Sequence, residues 1–352
     1  MEPPDAAESP RREAENGGPK RILAVINPVS GPLSSRNAGK DLAGRARKLG
    51  VELECVETRP DRDGLAAVRS REGPYDCYLV WGGDGTVMEV VAAAIEDGVP
   101  IAIIPRGTAN AVAWHFGIPF DLGRAFPVAV SGKPVRIDVA RTRGRIFLIM
   151  AGLGFDGLMI QSATRSLKRR LGFLAYLYGA LKNLGRRAYT YRVSLDGGEP
   201  FRLRGAMAAI ANTGTFAGNI RPVRSVSPQD GRIDLIVVSP ENFGDFFRIL
   251  VWGMLGRLHH DPRVRHFQAE RIRVETRPLA PLEIDGDEVS GMHRVLEVEV
   301  LPQALTVLVP AEGKLKLPWL PEVQWPPPGL PAWMDPSVSR YPGSKGQAEN
   351  ST

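Results

Sequence analysis

Gly82-Gly83-Asp84-Gly85-Thr86 is the densest chemical signal in the chain: glycines that let backbone approach a phosphate, with one carboxylate among them. The segment lies between an apolar run and a helical pattern, so the following helix start would offer unpaired N–H groups to an anion. A carboxylate in such a loop repels phosphate unless a cation stands between them, so Asp84 implies Mg²⁺. Alone, Gly-Asp-Gly is also an ordinary tight turn. Two further loops argue against that reading. Asn27-Pro28-Val29-Ser30-Gly31 closes one apolar run and Pro105-Arg106-Gly107-Thr108-Ala109-Asn110 closes another. If these runs are parallel strands, all three loops meet at the carboxyl edge of one sheet, where open α/β sheets bind ligands.

Hydrophobic periodicity predicts the elements that would hold the loops. Residues 22–26, 51–56, 77–80 and 100–104 read as strands, the first and last buried on both faces. Helical patterns fall at 35–49, 63–69 and 86–96. The last carries Val87, Val90, Val91, Ala94 and Ile95 on one face, with Gly98 beyond it as C-cap. This alternation predicts an α/β/α domain with a mainly parallel sheet over 21–134. From 135 to 310 the pattern changes to short alternating runs at 135–140, 146–150, 191–195, 206–212, 233–238, 272–275 and 295–300. Turns such as Asp196-Gly197-Gly198 and Asp230-Gly231 separate them, which predicts an antiparallel β-sandwich domain with one or two inserted helices. Residues 305–309 form a last strand that either domain could claim.

The chain has 352 residues, 43% hydrophobic content and a net charge of +6. That length suits two domains of ordinary size. No apolar run approaches the roughly eighteen residues of a spanning helix. Residues 1–20 are polar, without the apolar core of a signal peptide, and read as a disordered extension. Residues 311–352 are Pro-rich, hold Trp319, Trp325 and Trp333, and read as an extended or disordered tail. Cys55 and Cys77 lie in strand-like stretches, so buried reduced thiols are expected rather than a disulfide framework, and with them a cytoplasmic setting. The five histidines are scattered in sequence with no zinc-ligand spacing.

In this order and spacing, Asn-Pro-x-Ser-Gly, Gly-Gly-Asp-Gly-Thr and Pro-x-Gly-Thr-x-Asn resemble the diacylglycerol kinase catalytic-domain family, which includes sphingosine kinases and small bacterial lipid kinases. The resemblance continues through Gly152-Leu153-Gly154-Phe155-Asp156, Asp230-Gly231-Arg232-Ile233-Asp234 and Asp285-Gly286-Asp287, covering roughly residues 20 to 310. It implies an ATP site in the cleft between the two domains. Asn27, Pro28, Val29, Ser30, Gly31, Thr58, Gly82, Gly83, Gly85, Thr86, Glu89, Gly107, Thr108 and Asn110 would surround the nucleotide. Asp84 would organise Mg²⁺, and Asp285 or Asp287 would accept the proton of a lipid hydroxyl, with Asp156 on the lipid side. A second, structural Mg²⁺ would sit at Ser227, Asp230 and Arg232. A lipid hydroxyl is a poor nucleophile, so a carboxylate acceptor is what the chemistry needs, with glycine-loop amides and a cation to neutralise phosphate charge.

Three positions depart from the family pattern. Asp287 stands where Glu is usual, Ala111 follows Asn110 where Asp is common, and Met88 replaces a common Asn. These keep open an alternative, a catalytically silent lipid- or nucleotide-binding protein of the same fold. NAD kinases also carry Gly-Gly-Asp-Gly, but lack the other two loops.

The implied partner is a lipid at an anionic membrane surface, with peripheral attachment. Leu167, Leu171, Leu174, Tyr178, Leu181 and Leu184 fall at helical spacing, among cations with no acid between 165 and 187. Such a stretch is either a membrane-surface helix or a core helix with a solvated basic face. A second stripe, from Phe243 to Leu258, is so regular that core packing is the expectation for it. No nucleic-acid-binding signature is present, and a homodimer is compatible with the chain.

Overall fold

The computed structural model describes residues 21–30, 37–61, 63–154, 189–215 and 221–311. Gly31, Asp156, the basic stretch 165–187, residues 1–20 and the Pro/Trp-rich region from 312 onward lie outside the described residues.

β1 (Arg21–Ile26), β2 (Glu52–Glu57), β3 (Cys77–Gly82) and β4 (Ile101–Pro105) are parallel and lie in the order β4-β3-β1-β2. The apolar runs of β3 and β4 are buried at every residue, as strands covered on both faces must be. One face carries α2 (Gly64–Arg69) and α3 (Asp84–Asp97), which set Val87, Val90 and Val91 against Leu23, Val25 and Val80. The other face carries α1 (Ala38–Leu49) and α5 (Leu122–Ser131), where Leu42 and Phe126 cover Ile22 and Leu79. α3 starts two residues before its apolar pattern, so Asp84 is its first residue, and it ends at Gly98 in the left-handed conformation (φ 66°). Between β4 and α5 lies α4 (Ala111–Phe116). The sequence placed neither α4 nor α5: six residues give α4 no period, and Pro127 interrupts the signal of α5.

The second half is antiparallel. β5 (Lys133–Thr142), β6 (Arg145–Phe147), β7 (Met150–Gly154), β8 (Tyr189–Leu195), β9 (Phe201–Gly205), β10 (Met207–Ala211), β11 (Ile233–Val238), β12 (Val264–Ala269), β13 (Arg271–Ile284) and β14 (Asp287–Val309) enclose their own core around Phe147, Tyr191, Leu235, Ile272 and Leu296. The fold class is therefore a parallel α/β domain followed by an antiparallel β-sandwich domain. The single strand expected over 146–150 is instead two, β6 and β7, because Leu148 and Ile149 turn their amides elsewhere. The runs at 295–300 and 305–309 are one strand. β14 is 23 residues long; its first part pairs with β13, and its end sets Val307 parallel to Ile101 of β4.

A bend makes this double role workable. The β14–β5 register shifts between Leu301 and Leu305, and Gln303 is left-handed (φ 50°). The fully buried Asp138 carboxylate satisfies the bend, accepting Gln303 N–H at 2.8 Å and Gly231 N–H at 2.7 Å.

Two sequence expectations change. α6 (Phe243–Met254) is not a core helix: only Asp245 is buried in it, while Phe243, Phe247, Val251 and Met254 are exposed. Cys77 is buried but Cys55 only half so; both thiols are free. No helix among the described residues is long and apolar enough to cross a membrane.

Asp138→Ala should take the acceptor from two part-buried amides, Gln303 at the β14 bend and Gly231 on the facing loop. A loss of about 2–4 kcal/mol is expected, at about 1–3 kcal/mol per unsatisfied group, read as a lower urea midpoint with unchanged m-value.

Candidate active site

The site grows from the carboxyl edge of the parallel sheet. Asn27, just past β1, donates its backbone N–H to Trp81 O at 2.9 Å. Its side-chain Nδ2 donates to Thr86 Oγ1 at 2.9 Å, and its Oδ1 accepts Val29 N–H at 3.1 Å. A side chain with both a donor and an acceptor thus ties the Pro28–Ser30 turn to the first turn of α3. Val29 is left exposed at the tip of that turn and Ser30 half-exposed beside it. Thr58, at the end of β2, is buried alongside and donates N–H to Ile26 O at 2.9 Å.

The loops after β3 and β4 touch through bare backbone. A Cβ on Gly107 would lie 2.6 Å from the Gly83 Cα, and one on Gly83 would lie 2.9 Å from the Gly107 Cα. Neither residue can carry a side chain while the loops stay in contact. Asn110 fixes the second loop: it is left-handed (φ 45°), accepts Gly107 N–H at 2.7 Å and donates back to Gly107 O at 2.7 Å. Thr108, between them, faces solvent. Gly82 is closed in against Thr86, whereas a Cβ on Gly85 would meet nothing within 4 Å.

Four carboxylates border these loops. Asp84 Oδ1 accepts Val112 N–H at 3.3 Å, so the acid at the start of α3 is aimed at the start of α4. Burial raises its proton affinity, against the opposing pull of the amides of Ala111, Val112 and Asn110. Asp285 and Gly286 form a two-residue hairpin turn between β13 and β14, both left-handed (φ 50° and 90°). Asp285 Oδ2 accepts Leu148 N–H and its Oδ1 accepts those of Ile149 and Met150, each at 2.9 Å. Despite these three donors, burial pushes its carboxyl up to about 6, and the nearby charge of Asp84 adds to the rise. Gly286 N–H donates to Glu283, tightening the same turn.

Glu89 Oε2 accepts Gly64 N–H at 2.9 Å, holding the start of α2. Burial raises its proton affinity, with the charges of Asp63 and Asp287 assisting. Asp287 is exposed and makes no hydrogen bond to protein among the described residues. The fold therefore brings Asp84 to Asp285 and Glu89 to Asp287, residues some 200 apart in sequence.

Of the departures from the family pattern, Ala111 is fully buried and Met88 packs on the core. Ser227, Asp230 and Arg232 lie apart, on the loop between β10 and β11. There Asp230 is exposed and turned on its own loop, accepting Arg232 N–H at 3.0 Å. Burial, then the charges of Asp234 and Asp138, raise its proton affinity. Among the described residues no three His, Cys, Asp or Glu side chains group to hold a metal.

Sequence reasoning missed several polar residues. His115, on α4, places Nδ1 3.2 Å from Thr215 Oγ1, and its carbonyl accepts Arg221 Nη2 at 2.6 Å. Burial, helped by the Arg221 charge, pushes the imidazole down to about 4, so it stays neutral as it pins α4 to the second half. Arg106 stacks 4.6 Å over the Trp81 ring, with its buried Nε unpartnered. His259, His260 and His266, scattered in sequence, come together: ring centroids are 4.3 Å apart for His259 and His260 and 6.2 Å for His259 and His266. No spacing rule links these residues to their partners, which lie far off in sequence or depend on how the loops fold.

Comparison with known proteins places this arrangement. Residues 21–142 match the diacylglycerol kinase catalytic domain, and residues 150–309 match the YegS C-terminal NAD kinase beta sandwich-like domain. An uncharacterized Synechocystis protein is 32% identical over 252 residues; the match takes in 69% of this chain and spans 57% of that protein's length. A diacylglycerol kinase of Staphylococcus saprophyticus is 27% identical over 272 residues, 76% of this chain and 89% of its own. A crystal structure of a Bacillus anthracis diacylglycerol kinase covers 83% of this chain and 98% of its own, with TM-score 0.69 and 21% identity, a likeness of fold.

Gly107→Ala should force the two loops apart and lower the melting temperature. Gly85→Ala, with open space around it, should melt like the wild type. Differential scanning calorimetry on both variants checks the contrast.

Proposed function

Because the chain belongs to the diacylglycerol kinase catalytic-domain family, a family of phosphotransferases, we propose that it moves the γ-phosphoryl group of ATP onto the hydroxyl of a lipid such as diacylglycerol or a sphingoid base. The observation that carries this reading is the meeting of bare-backbone glycine loops with two desolvated carboxylates, Asp84 and Asp285. Glycine amides suit the phosphates, and the carboxylates suit a cation between them.

Mg²⁺ fits this donor set. Two nearby buried acids whose proton affinities are both raised are better satisfied by a divalent cation than by each other. Asp84, with one oxygen on the Val112 amide and the other open, would hold it, and bound there it would neutralise charge on the transferred phosphoryl group. The Ser227, Asp230 and Arg232 loop fits less well, offering one exposed carboxylate already engaged by its own turn.

Asp287 is the proton acceptor in this reading. Both Asp285 oxygens already accept backbone amides, whereas Asp287, two residues on, has its carboxylate free among the described residues. Its shorter reach than Glu is met by the hairpin, which starts β14 at Asp287 itself. A second reading has its own support: a carboxyl near 6 is well matched to accept a proton at neutral pH, which favours Asp285.

The pH profile separates them. Asp285 is protonated below about 6. If it is the acceptor, kcat/KM falls about tenfold per pH unit below that point, and Asp285→Asn abolishes the limb. If Asp287 is the acceptor, Asp287→Asn suppresses turnover with ATP affinity and melting temperature unchanged. Asp285→Asn would then chiefly cost stability, about 1–3 kcal/mol, by turning an amide N–H onto a backbone donor. The raised affinity also sets a sign: Asp285's contribution to stability is full below the ordinary carboxylate range and is lost as pH rises through about 6.

The governing experiment is incubation of labelled ATP with a panel of lipids and with NAD. Label transferred to a lipid, and lost in Asp84→Asn by about a thousandfold (about 4 kcal/mol), is the expected result. Transfer to NAD alone, or to nothing, would overturn the reading.

A further inference from the structure

α6 is an amphipathic helix mounted with its polar face inward. Asp245, on its inner side, is buried and takes Arg248 Nη2 at 2.9 Å; Arg248 Nε in turn reaches the buried Asp261 at 2.7 Å. Arg263 adds bonds to Glu241 at 2.7 Å and to Asp245 at 3.4 Å. This ion-pair network, together with Ile249 packed on the core, fastens the helix. Asn242 caps its start by accepting Asp245 N–H at 2.9 Å.

The apolar stripe consequently points outward. Phe243 (60% exposed), Phe247 (57%), Val251 and Met254 (65%) recur at four-, four- and three-residue spacing, and Leu255 extends the row. Ordinary soluble helices hide such a row. Exposed charge at its C-terminal end is cationic. Arg224 is exposed and packs its side chain over Gly256, just past the helix end. Arg221, whose carbonyl also borders Gly256, is half-buried, its Nη2 donating to the His115 carbonyl at 2.6 Å. Neither arginine has a carboxylate partner among the described residues, while the acids around the helix, Glu241, Asp245 and Asp261, are already paired with Arg248 and Arg263.

We propose that α6 docks the protein on an anionic lipid bilayer, its outward stripe seated at the boundary of headgroups and acyl chains and Arg224 on lipid phosphates. An interfacial helix needs an apolar face, nearby cationic charge and a firm mount, and all three are present. The proposal concerns where the protein sits and does not depend on the reaction, so vesicle binding and turnover can fail separately.

Co-sedimentation of the full chain with phosphatidylcholine vesicles, with and without phosphatidylserine, tests it. The wild type should pellet with the phosphatidylserine vesicles. Phe247→Gln with Met254→Gln should lower the partition coefficient at least about tenfold. Arg224→Gln should lower it about fivefold at low salt, for roughly 1 kcal/mol per charge, with the difference shrinking as salt rises. Both substituted apolar residues are exposed, so the melting temperature should hold. Unchanged pelleting of the double variant would overturn the proposal. So would a wild-type dimer in sedimentation velocity that the double variant turns to monomer, since a second copy would then own the face.

Discussion

The rest of the structure depends on one carboxylate meeting three consecutive backbone amides. Asp285 collects the N–H groups of Leu148, Ile149 and Met150, and returns its own N–H to Met150 O. The grip interrupts what would otherwise be a continuous strand, separates β6 from β7, and presents the Asp285-Gly286-Asp287 hairpin to the loops of the parallel sheet. Desolvation of that acid is costly unless hydrogen-bonded, so the three donors and the neighbouring Asp84 are parts of a single arrangement. Chemistry and architecture share the same atoms here.

Around this grip the site is assembled from two halves with different logic. The parallel half supplies close-packed glycine backbone, locked by Asn27 and Asn110, whose side chains each work as donor and acceptor at once. The antiparallel half supplies two of the four acids, Asp285 and Asp287, against Asp84 and Glu89 on α3. The family motifs and the two domain matches agree on the family, and the positions that depart from it, Met88, Ala111 and Asp287, divide by location. Met88 and Ala111 serve packing, whereas Asp287 stands in the open.

Much of this was legible before any coordinates. The buried runs of β1, β3 and β4, the C-cap at Gly98 and the convergence of three loops follow from periodicity and turn chemistry, which are local. What escaped the sequence is non-local. The break at Leu148–Ile149 is caused by a residue more than 130 positions away. The exposure of α6 could not be read from its stripe, because period reports which residues share a face and not what that face meets. Nor could the joining of 295–300 with 305–309, since Pro302 and Gln303 read as a stop until Asp138 is seen holding the bend. The three-histidine cluster depends on a 3₁₀ turn at Leu258–His260 folding onto β12, which no spacing encodes.

β14 has a mechanical consequence. A strand that pairs with β13 at one end and lies against β4 at the other works as a rigid tie-bar between the halves. Enzymes that enclose a substrate between two lobes commonly do so about slack connections. Here the tie leaves twisting at the Gln303 bend as the soft mode and resists separation of the halves. Pulling force applied to either half would be shared along the bar, so the protein should yield in one event rather than lobe by lobe. Movement at the site then falls to the loops rather than to the frame.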